Sequence, residues 1–421
     1  MSRYLKASLL TGLVVSLLVV GLTLAGMLRS LDAAWLGLFS LSATPLALPD
    51  WAATALRLGL PVAVAFGLAW TTIDITQPPL KLMIALGFIA LFGTLSYTLN
   101  LFGITYSPIA TWIAGLLSLL VGMIYSSTES GQRKRVLRAT LANRISPESF
   151  AQLLNAPKPP NFQGELTPAT VLVCGIYNQS SLLEALEPQQ SVELVNRFLK
   201  ETTGALAAAG AYVDAVDGES VRVIFGNLLN RGNHAQAACA AALNLRERLE
   251  RLNRELEDRW RHSFDFRMSI ESGEIVSAAY GSHNLGGYSV AGPAVERARR
   301  LCGANLTFGT RILLGTGAFD LAESLVAVRP IELLRTHDQP APQEVYELVA
   351  LKEGLAEATT RRLEEFWKAV IYFREGSIGK AREAFEKLQD PNVYDGLLEH
   401  YLQRVKAETG PAQPTVGMKL I

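Results

Sequence analysis

Two short stretches of the 421-residue chain carry ionisable side chains at spacings that chemistry can use. The first is the turn Asp217-Gly218-Glu219. It lies between runs whose Val213, Val216, Val221, Val223 and Phe225 have the β-branched and aromatic content of strands. The pattern predicts a hairpin over 209–226 with carboxylates at its tip, which an ordinary turn presents to water. The second is Glu296 and Arg300 in VERARR. On a helix an i, i+4 spacing puts both on one face, close enough for the glutamate to pair with the guanidinium. Arg297 and Arg299 share this stretch, so Arg300 is not distinguished by its residue type alone.

Other chemistries lack their residues. There is no G-x-x-x-x-G-K-[ST] phosphate loop and no H-E-x-x-H zinc helix. Gly315-Thr316-Gly317 is a lone G-x-G, and Gly287-Tyr288-Ser289 starts like a nucleophile elbow whose next glycine comes one residue late. Cys174, Cys239 and Cys302 have neither disulfide nor zinc spacing. His234, at the start of a helical pattern, reads as a packed or cap-adjacent residue. With 39 basic and 39 acidic residues, bulk electrostatics favours no nucleic-acid partner.

The elements that must position these residues differ sharply along the chain. Residues 1–126 are strongly apolar and hold four runs, near 8–27, 53–73, 82–101 and 105–125, each of the roughly 20 residues that span a bilayer. The first could instead be a cleaved signal peptide, but three more runs follow it. Arg3, Lys6, Lys81, Arg133, Lys134, Arg135 and Arg138 all fall on one side if the N-terminus is inside. The expectation is a multi-pass protein of the inner (cytoplasmic) membrane with the rest of the chain in the cytoplasm. Apart from Arg57, near a span end, the runs are almost free of charge, which argues against a polar transport path. The outer segment 28–52, with Pro45, Pro49 and Trp51, reads as interfacial.

Residues 127–164 read as a helical linker, with Leu137, Leu141, Ile145 and Phe150 at helical spacing and Ser146-Pro147-Glu148 as a helix start. Next come a strand over 169–178, a helix over 188–208, the 209–226 hairpin and a helix over 233–258. FDFRMSIES and EIVSAAYG then suggest a second hairpin around Gly273. GGYSVAG leads into the helix PAVERARRLCG, and strands LTFGTRILLG, LVAVRPIELL and QEVYELVA end near Leu351. The tail, 358–407, has the paired-helix spacing of one tetratricopeptide-like unit, which cannot bury its own apolar face and must dock elsewhere.

This order, the phrase LANRISPESFAQLL and the Gly218-Glu219 doublet resemble the class III adenylate/guanylate cyclases, in the form of a bacterial membrane-bound cyclase-homology protein. The resemblance implies a fold: a four-helix transmembrane region, a cytoplasmic ferredoxin-like α/β cyclase domain over 165–351, and tetratricopeptide-like helices after it. It also implies site residues. Metal-binding aspartates, for Mg²⁺ or Mn²⁺, fall at Gly175, where no carboxylate remains, and at Glu219. The base-selecting pair falls at Ala215, where the family has lysine, and at Ser289, where it has Asp or Thr. The transition-state Asn and Arg fall at Glu296 and Arg300. In the family the site forms between subunits, which implies a homodimer, or a heterodimer with another cyclase-type subunit, and ATP or GTP as ligand. All five of Gly175, Glu219, Ala215, Ser289 and Arg300 are then expected to line one dimer-interface cleft. Two readings stay open: a pseudo-cyclase serving as a regulatory or dimerising module, and an active cyclase with an atypical metal site.

Overall fold

A computed structural model describes residues 3–38, 48–75, 78–141, 144–158, 160–228, 232–280, 287–334 and 342–407. Pro45, Gly281 and Gly286 of the sequence reading lie outside them. The chain divides into two compact units, Met1–Ala139 with Leu154–Pro157, and Thr140–Leu153 with Lys158–Ile421.

The first unit contains α1 (Arg3–Leu24), α2 (Arg29–Leu38), α3 (Asp50–Thr54), a π-helical turn over Ala55–Gly59, α4 (Leu60–Asp74), α5 (Pro78–Leu101), α6 (Ile109–Ser127) and α7 (Glu129–Leu141). Four stretches are long and apolar enough to cross a membrane: Tyr4–Leu24, Asp50–Asp74, Pro79–Leu101 and Ile109–Ser127. The first stops where Gly26 adopts φ +73, and the fourth starts behind Pro108. Small residues let these helices approach closely. Ala65 and Ala114 are fully buried, and the Ser118 hydroxyl donates to the Ala65 carbonyl at 3.1 Å. Leu10, Leu17 and Leu86 are exposed, as lipid-facing leucines would be.

After α8 (Pro147–Asn155), the second unit runs β1 (Glu165–Ile176), α9 (Gln179–Ala185), α10 (Pro188–Ala208), β2 (Tyr212–Val216), β3 (Ser220–Phe225), α11 (His234–Trp260), β4 (Phe266–Tyr280), β5 (Gly287–Ala291), α12 (Pro293–Phe308), β6 (Ile312–Gly315), α13 (Thr316–Ala322), β7 (Val326–Leu334) and β8 (Gln343–Leu351). The tail is α14 (Glu357–Arg374), α15 (Ile378–Lys387) and α16 (Gly396–Ala407). The strands form one sheet in the order β2-β3-β1-β4-β6-β8-β7, with β5 pairing on β4.

Strand periodicity assigns the faces. Leu172, Cys174, Met268 and Ile270 share a core with Leu194 and Phe198 of α10 and with Leu245 and Leu249 of α11. The intervening Ser269 and Glu271 instead engage α12. Thus α10 and α11 cover one face and α12 lies on the other.

Two expectations are corrected. There is no hairpin at Gly273: β4 runs unbroken from Phe266 to Tyr280, with Gly273 opposite Ala169 of β1. A Cβ at Gly273 would lie 3.2 Å from Ala294 Cβ and from an Arg297 nitrogen, so the glycine admits α12 rather than making a turn. LTFGTRILLG is only partly a strand, because α12 continues to Phe308 and β6 starts at Ile312. Gly309, at φ +63, ends the helix.

The tail docks on β7 and on the end of α12. Phe366, Phe373, Phe385 and Tyr401 pack with Phe308, Ile331 and Leu334 in a second core. Arg329 of β7 is held by Asp395, at 2.5 and 3.0 Å, and by Glu347. Gly309 and Gly396 meet backbone to backbone: a Cβ on Gly309 would lie 2.7 Å from Gly396 Cα.

Candidate functional site

The end of β1 and the β2–β3 turn meet through backbone pairing. Gly175 lies opposite Ser220 of β3, and the Ile176 N–H donates to the Glu219 carbonyl at 2.8 Å. Gly175 and Glu219 are therefore neighbours at one end of the sheet. Asp217 closes the turn itself: its Oδ1 accepts the Glu219 and Ser220 N–H groups at 2.9 and 2.5 Å, and its Oδ2 accepts the Ser220 hydroxyl at 3.0 Å. Glu219 is exposed and has no such duty.

With α12, these segments enclose an open cleft of about 830 Å³, lined among others by Gly175, Tyr177, Gln179, Glu219, Arg299 and Arg300. Tyr177 sits over the glycine. A Cβ at Gly175 would already touch Tyr177 Cε2 at 3.4 Å, the Glu219 carbonyl at 3.5 Å and Ser220 Cβ at 3.6 Å. These are ordinary contact distances, so a small side chain fits there beside the open cleft. Burial, followed by the neighbouring Cys302, pushes the Tyr177 phenol well above its ordinary pKa. Burial likewise pushes the Cys302 thiol up to about 11, so neither group is an acid–base reagent near neutrality.

Glu296 binds both arginines beside it. Arg299 donates through two nitrogens, at 3.1 and 2.9 Å, and Arg300 through Nε at 2.8 Å. The hydrogen bonds from Arg299 and Arg300 hold the Glu296 carboxyl down at about 2. The third arginine turns the other way: Arg297 lies 3.6 Å from Glu271, a buried carboxylate of β4. Burial pushes Glu271 upward despite Arg297. The glycines of Gly315-Thr316-Gly317 fit around this group, because a Cβ at either would collide with the Glu271 carboxylate. That G-x-G is packing, not a phosphate loop.

A row of polar bonds fixes α12 on the sheet. The Ser269 hydroxyl donates to the Ala298 carbonyl at 2.6 Å, the Cys302 thiol to the Arg267 carbonyl at 3.4 Å, and the Asn305 amide to the Met268 carbonyl at 2.8 Å. Glu296 and Arg300 are therefore presented by a helix with little freedom to slide.

The structure brings Gly175, Glu219 and Arg300 to one cleft but does not bring Ala215 or Ser289 there. Ser289 lies opposite Ala278, towards the far end of β4, and its hydroxyl donates to Asp214 Oδ1 at 2.6 Å. Ala215 is opposite Arg222, whose Nε donates to Asp214 Oδ2 at 2.6 Å. A register shift between Val213 and Ala215 turns the Asp214 side chain fully inward. Asp214, Arg222, Tyr177 and Gln179 escaped the sequence reading. The signal for Asp214 was present, a carboxylate inside the apolar run YVDAV. It pairs with Ser289 only because β5 reaches β2, where Tyr212 and Tyr288 meet edge to face at 5.2 Å.

A two-metal site is not furnished by these residues. Gly175 offers no oxygen ligand from a side chain, the Asp217 carboxylate is spent on its turn, and Glu219 stands alone. Among the described residues no group of three or more His, Cys, Asp or Glu is close enough to hold a metal ion.

Known proteins share the sequence of this region. Adenylate cyclase 1 of Rhizobium meliloti (strain 1021) is 25% identical over 182 residues, 43% of this chain and 27% of that protein. The adenylate cyclase of Anabaena cylindrica is 28% identical over 149 residues, 34% of this chain and 29% of that protein. The chain thus spans less than a third of either relative. The crystal structure of the adenylyl cyclase CyaB from P. aeruginosa aligns with a TM-score of 0.43 and 22% identity, over 46% of this chain and 100% of that one. No family model matches the chain. The α/β region is thus similar in sequence to adenylate cyclases, and it is carried on a chain with four membrane-length apolar helices.

Proposed function

We propose that this chain is a membrane-anchored cyclase-like signalling protein whose α/β domain is catalytically impaired and acts as a regulatory or dimerising module. Cyclisation of a nucleoside triphosphate is in-line displacement at the α-phosphate. It calls for metal ions held by carboxylates and for free cations on the developing charge. The observation that carries the reading is Glu296, which occupies Arg299 and Arg300 together, beside a Gly175 that offers no carboxylate. Removing a single preorganised electrostatic group typically lowers a rate by about 10²–10³-fold, and here two are changed.

The reading places the protein in the inner membrane with both termini cytoplasmic, since basic residues flank the same ends of the spans. It pairs the domain with a second copy or another cyclase-type subunit, and keeps ATP or GTP among the ligands to be tried. The test is a cyclase assay on the full chain with each nucleotide, in Mg²⁺ and in Mn²⁺. We expect no cyclic nucleotide above background. Turnover by the native chain that Glu219→Ala abolishes would overturn the reading and make Glu219 the holder of the catalytic metal.

A further inference from the structure

We propose that the α/β domain carries a small-molecule site apart from that cleft, between the start of α8, the end of α10 and the start of α11, and that it holds a free amino acid by its carboxylate. The site lies at the opposite end of β3 from the β2–β3 turn, so it stands whether or not the domain cyclises a nucleotide.

A pocket of about 500 Å³ opens there, with Phe225, Gly226, Ser149 and His234 as its buried lining. His234 is 6% exposed and is held through one nitrogen only. Its Nδ1 lies 2.7 Å from the Thr170 hydroxyl, which in turn lies 2.6 Å from the Ser272 hydroxyl. Burial pushes the imidazole pKa down, so the ring is neutral near neutrality and carries one N–H. The hydroxyl chain assigns that proton. If Ser272 donates to Thr170 and Thr170 to Nδ1, both hydroxyl protons are used. If Nδ1 donates instead, Thr170 must donate to Ser272, whose own proton then has no acceptor among the described residues. The first arrangement leaves Nε2–H as a donor on the pocket without an acceptor.

Ser149 repeats the pattern from α8. Its hydroxyl accepts from the Ser146 hydroxyl at 3.0 Å, and its own proton has no acceptor among the described residues. A buried donor left unpaired is costly, and two on one pocket call for oxygen acceptors. Both donors are neutral and no Lys or Arg lines the pocket, so a carboxylate suits them better than a multiply charged phosphate.

The exposed side of the pocket has the opposite preference. Glu148 stands there, and Ala208 and Ala209 bring the C-terminal end of α10, whose last carbonyls carry partial negative charge. An ammonium group fits this side. Phe225 and Ala237 leave an apolar wall for a small body between the two charges. Because Ser149 and Glu148 belong to α8 and the rest to α10, β3 and α11, the ligand fastens the start of α8 to the α/β core.

The experiment is calorimetric titration of the full chain in lipid nanodiscs with alanine, leucine, propionate and propylamine. We expect an amino acid to bind more tightly than propionate, and propylamine least. Ser149→Ala and His234→Asn should each weaken the amino acid about tenfold, the effect of one hydrogen bond to a charged group. Asparagine keeps a polar atom near Thr170 and removes Nε2. Thermal unfolding without ligand shows whether the variants are folded, and Ser149→Ala alone decides where His234→Asn is not. Glu148→Gln should erase the preference for the amino acid over propionate while propionate still binds. Hydrogen exchange over 147–153 should slow when the amino acid is bound. Failure of both amino acids to bind would overturn the proposal. So would propylamine binding more tightly than propionate, or amino-acid binding that Ser149→Ala leaves unchanged.

Discussion

Glu296 is the residue on which electrostatics and function meet. Its carboxyl is held at about 2, below the ordinary 4.5. A carboxylate depressed in the fold stabilises it above its unfolded pKa and loses that contribution as the pH falls through the folded value. The contribution is therefore complete above about pH 4.5 and fades towards pH 2. We predict that native protein and Glu296→Gln differ in Tm near neutrality and converge only as the pH approaches 2, a comparison thermal unfolding makes directly. The difference should be small and salt-sensitive, because the side chain is 37% exposed. Gly175 gives a second prediction. Gly175→Asp puts a carboxylate beside Glu219 and should raise Mn²⁺ affinity, whereas Gly175→Ala, of similar fit but without oxygens, should not. Calorimetric titration with Mn²⁺ distinguishes them, and equal binding by both would reject a metal role for this position.

At the scale of elements, α12 is held by glycines as much as by bonds. Gly273 lets it approach β4, and Gly309 lets α16 approach its end. Gly273→Ala should cost about 1–3 kcal/mol through overpacking. Gly309→Ala should cost more, about 2–4 kcal/mol, because it adds left-handed backbone strain to a collision with backbone that cannot turn aside. Denaturant titration should rank them in that order. Hydrogen exchange should show the Gly309 variant releasing 396–407 first, and uniform loosening of the sheet would contradict the docking described for α16.

For the molecule as a whole, the distribution of positive charge carries a prediction of topology. Reporter fusions at Gly131 and Gly103 should read inside and outside respectively. An externally accessible Gly131 would overturn this orientation and with it the cytoplasmic side proposed for the α/β domain.

The sequence by itself determined the elements whose periodicity is strong and local. The apolar runs, the hairpin about Asp217-Gly218-Glu219 and the long helices follow from residue patterns that act over a few neighbours. The i, i+4 pairing of Glu296 and Arg300 was legible for the same reason, since a helix fixes that distance. What only the tertiary structure decided depends on segments distant in the chain. Gly273 reads as a turn until α12 is laid across it, and Gly315-Thr316-Gly317 reads as a loop until Glu271 fills it. Within the chain, strand register brings Ser289 to Asp214, which a bulge turns inward, and the sequence does not show that pairing. Tyr177 over Gly175 is likewise invisible in sequence, because spacing along the strand does not say where the ring comes to rest. Spacing encodes neighbours along an element, and only packing chooses neighbours across elements.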